Sequence, residues 1–440
     1  MPLRTSRAPD FLGAGINAIM LALYSAREIV EVPRPFHAEV FVRAILVAVI
    51  ILPAAAVLAL SADKRAIMLP GASTDLPFSH AVWTGDYLYT TGSLGRIPGE
   101  GYPDGIEAQT RQTFANLERV LEAAGSDLSR VVSLSVFLSD DRHYEAMNAV
   151  FREVFPDNAP TRTTVRTDLA STAGLIEMSM VAVRQGVQLR RITPPGWQPS
   201  GPGYAYGILA GDTLFLSGAV STDPAEGTLV AGGIGTQTER TLDNIGRVLQ
   251  AAGMSYDDLV ANRVYLRDAR HFDDMNAAYR AVFTEAPPAR ATMRAGMMHP
   301  DLLVEIQSVA VKDAGRQIAG DANPASPYSP SIVAGGRQFL QGMTGWDESG
   351  YPAGNIKAQT RMAIERIEVT LAAAGLGLDD IVNSNVYLSD LRYFADMSEV
   401  YRDLIPSPRP ARTTVEAVLM DPDALVEIMV VADAEARSSR

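Results

Sequence analysis

From Leu69 onward, apolar and polar positions follow one succession that recurs three times. Each unit opens with two short stretches of period two, the second running from Leu214 to Ser217 in the middle copy, and a glycine turn ends them. That pattern predicts paired strands with one buried face. A helix is predicted next, because its apolar positions fall on one stripe: Phe114, Leu117, Val120 and Leu121, then Leu242, Ile245, Val248 and Leu249, then Ile364, Ile367 and Leu371. Gly125, Gly253 and Gly375 stand where a helix C-terminus needs a left-handed residue. A third strand reads VFLSD from Val136, VYLRD from Val264 and VYLSD from Val386. Its closing aspartate suits the cap of a second, short helix, which carries Met275 and Tyr279 on one face. Two further strands complete the unit. The order ββαβαββ predicts an α+β layer with both helices on one face of a mixed sheet. The other sheet face needs cover, and three linked copies can cover one another around a pseudo-threefold axis.

The register of the repeats is fixed by shifts of 128 and then 122 residues, which lay Gln109-Thr110 on Gln237-Thr238 and Gln359-Thr360. The expected domains are 69–188, 189–313 and 314–436, behind a leader of residues 1–68. Within the leader, Ala44 to Leu60 carries no charge and is flanked by Arg43 and by Asp63, Lys64 and Arg65. A run of that kind is expected to act as a signal or anchor segment, sending the protein to the periplasm or tethering it to a membrane. If the true start lies downstream of it, the location is cytoplasmic.

Composition changes the picture in two respects. The absence of cysteine removes thiolate metal sites and thiol nucleophiles. The net charge of -13 argues against a nucleic-acid partner. No histidine pair has zinc-site spacing; His143 and His271 hold equivalent positions, expected at the exposed start of the second helix.

The candidate chemistry lies in the last two strands. Arg162 and Glu177, Arg290 and Glu305, and Arg412 and Glu427 are each 15 residues apart, every one of them in apolar strand context. A guanidinium among small residues can hold a carboxylate through two charge-assisted hydrogen bonds. A glutamate in an apolar strand has a raised pKa and can exchange a proton with water. The plain alternative is a structural ion pair between neighbouring strands.

Five short motifs recur in order: GPGYAYG from Gly201, SGAVS from Ser217, NAAYRAVF from Asn276, PAR from Pro288 and LVEI from Leu303. Together they resemble the Rid, or YjgF, family of imine and enamine deaminases, over everything from about Leu69 to Asp433. The resemblance implies three tandem chorismate-mutase-like domains that form an intramolecular pseudo-trimer, a monomer with ligand clefts between its repeats. It implies hydrolytic deamination of small reactive 2-imino acids or enamines, without metal or organic cofactor. Arg162, Arg290 and Arg412 would hold the substrate carboxylate, and Glu177, Glu305 and Glu427 would assist the attacking water. Tyr204, Ser217, Asn276, Tyr328, Asn148 and Thr292 would line the clefts. The middle repeat keeps the family's residue type at all five positions: Arg290, Glu305, Tyr204, Ser217 and Asn276. The first has Phe78 and Thr91 for the tyrosine and serine; the third has Gln341 and Ser398 for the serine and asparagine. Thr164, Thr292 and Thr414 stand where the family often has cysteine. On this count Arg290 is expected to serve the most complete cleft. The alternative function is a non-catalytic protein that binds small carboxylates.

Overall fold

The computed structural model describes residues 64–200, 203–313, 315–352 and 354–436. The segment 44–60 lies outside the described residues, as do Gly201 and Pro202 of the GPGYAYG run. Among the described residues, no helix is long and apolar enough to cross a membrane.

Each repeat forms one mixed sheet under two helices. In the first, the strands run from edge to edge as Arg65–Ile67, Ala81–Thr84, Tyr87–Thr90, Ile176–Val183, Val131–Leu138 and Thr161–Arg166. All neighbours are antiparallel except the last two, which are parallel. The reason is the connection: the helix Tyr144–Val154 lies between them in sequence, and such a crossover returns the chain in the same direction. Leu259–Leu266 pairs in the same way with Ala289–Arg294, and Ile381–Leu388 with Ala411–Glu416. An edge strand joins each sheet that the two-strand opening does not contain; in the first repeat it is Arg65–Ile67, just ahead of Leu69.

The helices form where periodicity places them, at Ile106–Ala124, Ile234–Ala252 and Ile356–Ala372, with every residue of the predicted stripes buried. Gly125 and Gly253 take φ values of +76° and +78°, and their N–H groups close back on the last helical turn. The repeated glutamine also has a structural use. Gln109, Gln237 and Gln359 each donate to one carbonyl of the loop before the last strand and accept a backbone N–H two residues further on, from Leu175, Leu303 and Leu425. Asp140, Asp268 and Asp390 cap a short 3-10 turn that leads into the second helix. His143 and His271 at that entry are half-buried rather than exposed.

The sheet faces away from the helices pack on one another. Phe137 and Val165 of the first repeat, Tyr265 and Met293 of the second, and Tyr387 and Val415 of the third belong to one buried cluster. The seams repeat one backbone bond: Gly218 N–H donates to Arg162 O at 3.1 Å, Gly342 N–H to Arg290 O at 3.1 Å, and Gly92 N–H to Arg412 O at 3.2 Å. The three seams therefore close a ring, each repeat meeting the next.

Candidate functional site

The topology corrects the expected pairing of arginine with glutamate. Within a repeat the two are not on adjacent strands, because Val131–Leu138, Leu259–Leu266 or Ile381–Leu388 lies between them. The partner of each arginine comes from the following repeat: Arg162 faces Glu305, Arg290 faces Glu427, and Arg412 faces Glu177. The fixed 15-residue spacing is thus a property of the repeat, while the arginine and glutamate that face one another do so across a seam. Among the described residues, none of these guanidiniums closes on its glutamate as an ion pair.

Between the first and second repeats, a cavity of about 220 Å³ has Arg162, Tyr144 and Thr164 on one wall and Tyr204, Ser217, Glu305 and Trp197 on the other. The Ser217 hydroxyl donates to Ala205 O at 2.6 Å and accepts from Arg162 N–H at 2.9 Å, which ties the arginine strand to the next repeat. The Arg162 guanidinium rests 4.7 Å above the Phe151 ring, and its Nη2 reaches the Tyr144 hydroxyl at 3.5 Å. Its Nη1 is buried and has no hydrogen-bond partner. A buried cationic donor left without a partner is costly unless a ligand or water takes it. Asn148 is buried on the neighbouring helix.

Glu305 receives one long hydrogen bond, from Thr164 N–H at 3.4 Å. Burial pushes its carboxyl up to about 8, against the opposing effects of that N–H and of Arg162. Glu177 and Glu427 are pushed up to about 8 for the same reason, opposed by Arg412 and Arg290 respectively. Burial lowers Arg412 to about 10, which leaves it fully protonated at neutral pH. A Cβ added to Gly92, Gly218 or Gly342 would collide with the carboxyl of Glu177, Glu305 or Glu427, so the glycine after each turn is a condition of the glutamate's position.

The cleft around Arg290 is more open, about 360 Å³, and is lined by Thr292, Tyr328, Thr344 and Glu427. Here Asn276 lies beneath the arginine, its Oδ1 accepting from Nη2 at 2.7 Å, and the Tyr328 ring sits 4.9 Å from Cζ. Arg290 Nε and Nη1 have no partner. Gln341 does not replace the missing serine, since its amide turns to Met343 Sδ at 3.6 Å. Around Arg412, Thr91 keeps the serine's bridge, donating to Ser79 O at 2.5 Å and accepting from Arg412 N–H at 3.0 Å. Ser398 takes the place of the asparagine at 3.0 Å from Nη2, and Phe78 stands 5.5 Å from Cζ without a hydroxyl.

Because each cleft takes its arginine and amide from one repeat and its tyrosine, serine and glutamate from the next, the residues group differently from the expectation. Arg162, Tyr204, Ser217 and Glu305 line one cavity, and the tyrosine, serine and glutamate of the middle repeat thus serve Arg162 rather than Arg290. Sequence reasoning also missed Tyr144, although its counterparts Phe272 and Phe394 make the same cation–π approach and the aromatic recurs at the repeat shift. The glycines under the glutamates recur as well. Trp197 and Tyr206 had no such signal.

The sequence profile of the Endoribonuclease L-PSP family matches residues 71–184, 198–312 and 320–434. A RutC family protein of Pyrococcus horikoshii is 40% identical over 116 residues, covering 26% of this chain and 91% of its own. The human 2-iminobutanoate/2-iminopropanoate deaminase is 31% identical over 125 residues, 28% of this chain and 91% of its own. Among solved structures, a chorismatase at 14% identity aligns over 69% of this chain and 93% of its own, with a TM-score of 0.50, and shares the fold.

Proposed function

Given that the chain belongs to the Endoribonuclease L-PSP family, as a three-repeat Rid/YjgF protein, we propose that it hydrolyses small 2-imino acids or their enamine tautomers, and that the cleft around Arg162 is its principal active site. Water adds to the imine carbon, the carbon–nitrogen bond then breaks, and the products are a 2-oxo acid and ammonia. Arg162 takes the substrate carboxylate on its unpartnered Nη1. Glu305 holds the water and moves the protons. With a carboxyl near 8, its ionised form accepts a proton from water and its neutral form returns one to the departing nitrogen. Tyr204 and Ser217 bound the space, and Thr164 presents its own unpartnered hydroxyl to it. Relatives that bear the name of an imine deaminase, such as the human one, support this reading.

The unpartnered Arg162 donor, set across a cavity from a proton-holding glutamate, carries the proposal. Replacing Arg162 by alanine removes the charge-assisted pair and is expected to cost about 2–5 kcal/mol in kcat/KM, a loss of roughly 30-fold or more. Arg290→Ala and Arg412→Ala are expected to cost less, because Gln341, Phe78 and Ser398 have altered their clefts. Steady-state hydrolysis of enzymatically generated 2-imino acids by the three folded variants is the test, and full activity in Arg162→Ala would refute the assignment. A second reading applies to the other two clefts, which hold small carboxylates without turning them over. Phe78 favours it for Arg412, since the aromatic packing is kept and the hydroxyl is lost.

A further inference from the structure

The Arg162 cavity has an apolar half beside its arginine and glutamate. The rings of Trp197 and Tyr206 meet edge to face at 4.8 Å, and those of Tyr206 and Tyr204 at 5.7 Å. An aromatic wall therefore leads from Trp197 to the tyrosine beside Arg162. Ile245, Val248 and Leu302 line the same cavity. Trp197 and Tyr206 are half-buried. Half-buried aromatic faces lining a cleft are surface that a ligand can cover.

The Arg290 cleft has an aromatic lining of its own, from Phe272, Tyr328, Trp346 and Tyr351, but it is built from other positions. Tyr206, His80 and Pro330 hold equivalent positions, because their carbonyls accept from Ser217, Thr91 and Gln341 N–H at 3.0, 2.9 and 3.0 Å. Only the middle copy thus has a tyrosine there. Trp197 lies in the connection 193–204 and falls between the family-matched segments 71–184 and 198–312. The corresponding connections 68–78 and 320–328 contain no tryptophan. In the third repeat the space beside Pro330 is lined by Trp346, Met343 and Met362 together with Asp321, Asp347 and Arg366.

We infer that the Arg162 cleft selects 2-imino acids, and the matching 2-oxo acids, with a bulky apolar side chain, branched aliphatic or aromatic. The carboxylate sits on Arg162 and the side chain packs against Trp197 and Tyr206. Turnover of such substrates rests on the deaminase reading given above; their binding does not.

The test uses the full chain, with imines generated in place by an L-amino acid oxidase from phenylalanine, leucine and alanine, and with calorimetric binding of phenylpyruvate and pyruvate in parallel. The phenylalanine- and leucine-derived imines are expected to exceed the alanine-derived one in kcat/KM by roughly tenfold or more. Phenylpyruvate is expected to bind more tightly than pyruvate. Trp197→Ala should erase both preferences, bringing the ratio of large to small ligands to within about twofold of one; Tyr206→Leu serves if that variant does not fold. Equal rates and equal binding for large and small ligands would overturn the inference and leave the deaminase reading in place. Loss of all imine hydrolysis, with Trp197-dependent phenylpyruvate binding retained, would do the reverse.

Discussion

Glu305 combines a strand position with a carboxyl that holds its proton to about pH 8 because burial disfavours the charge. In the unfolded chain the same group ionises near its ordinary value of 4.5. Between those values the folded state binds the proton more tightly, so the stabilisation is complete below about pH 4.5 and is lost as pH rises through about 8. Glu305→Gln keeps the shape and cannot ionise. It is therefore expected to melt above the parent at pH 9, to match it near pH 4.5, and to lose imine hydrolysis at both. Thermal scans at the two pH values check this, and a variant less stable than the parent at pH 9 would mean that the ionised carboxylate is well accommodated. Because Glu177 and Glu427 share the shift, the parent should weaken steadily across this window.

At the scale of elements, the first helix of each repeat is fastened to the entrance of the glutamate strand by one glutamine. In the middle copy Gln237 Nε2 donates to Asp301 O at 2.8 Å and its Oε1 accepts from Leu303 N–H at 2.9 Å, next to the strand Val304–Val311 that carries Glu305. Gln237 is buried, so truncation strands a carbonyl and an N–H away from water. Gln237→Ala is expected to lower stability by about 1–3 kcal/mol. Urea unfolding measures it, and a change well under 1 kcal/mol would mean that water replaces both bonds. The glutamine and its threonine neighbour serve in the sequence only as markers of register. Their spacing could not reveal the hydrogen bonds, because the loop they hold is set by the tertiary fold.

Across the whole molecule, the three seams use the sheet faces and edges that a single repeat would leave open. Phe137, Tyr265 and Tyr387 meet in one cluster, and Arg166 and Gly296 exchange backbone bonds at 2.8 and 2.9 Å across the first seam. The third seam has its own bond, from Glu416 N–H to Asp168 O at 3.1 Å. With its threefold surface closed internally, the part from residue 64 onward is expected to be a monomer in solution. Light scattering decides it; a stable trimer of chains would show that another surface of comparable size exists.

By itself, the sequence determined the repeat, its register, the helix stripes and the identity of the arginines and glutamates, because each depends on local periodicity or on a residue type recurring at a constant shift. Only the tertiary structure decided which of them face one another. Glu305 and Arg162 are 143 residues apart, and the partner of each arginine is chosen by the central strand that separates it from its own repeat's glutamate and by the seam that brings in the next. That choice set Tyr204, Ser217 and Glu305 of the middle repeat beside Arg162 instead of Arg290. It also brought in Trp197 and Tyr206, which occur once each and so carry no periodic signal. A periodic pattern reports what every copy shares, whereas a cleft between copies is made from what adjoining copies contribute separately.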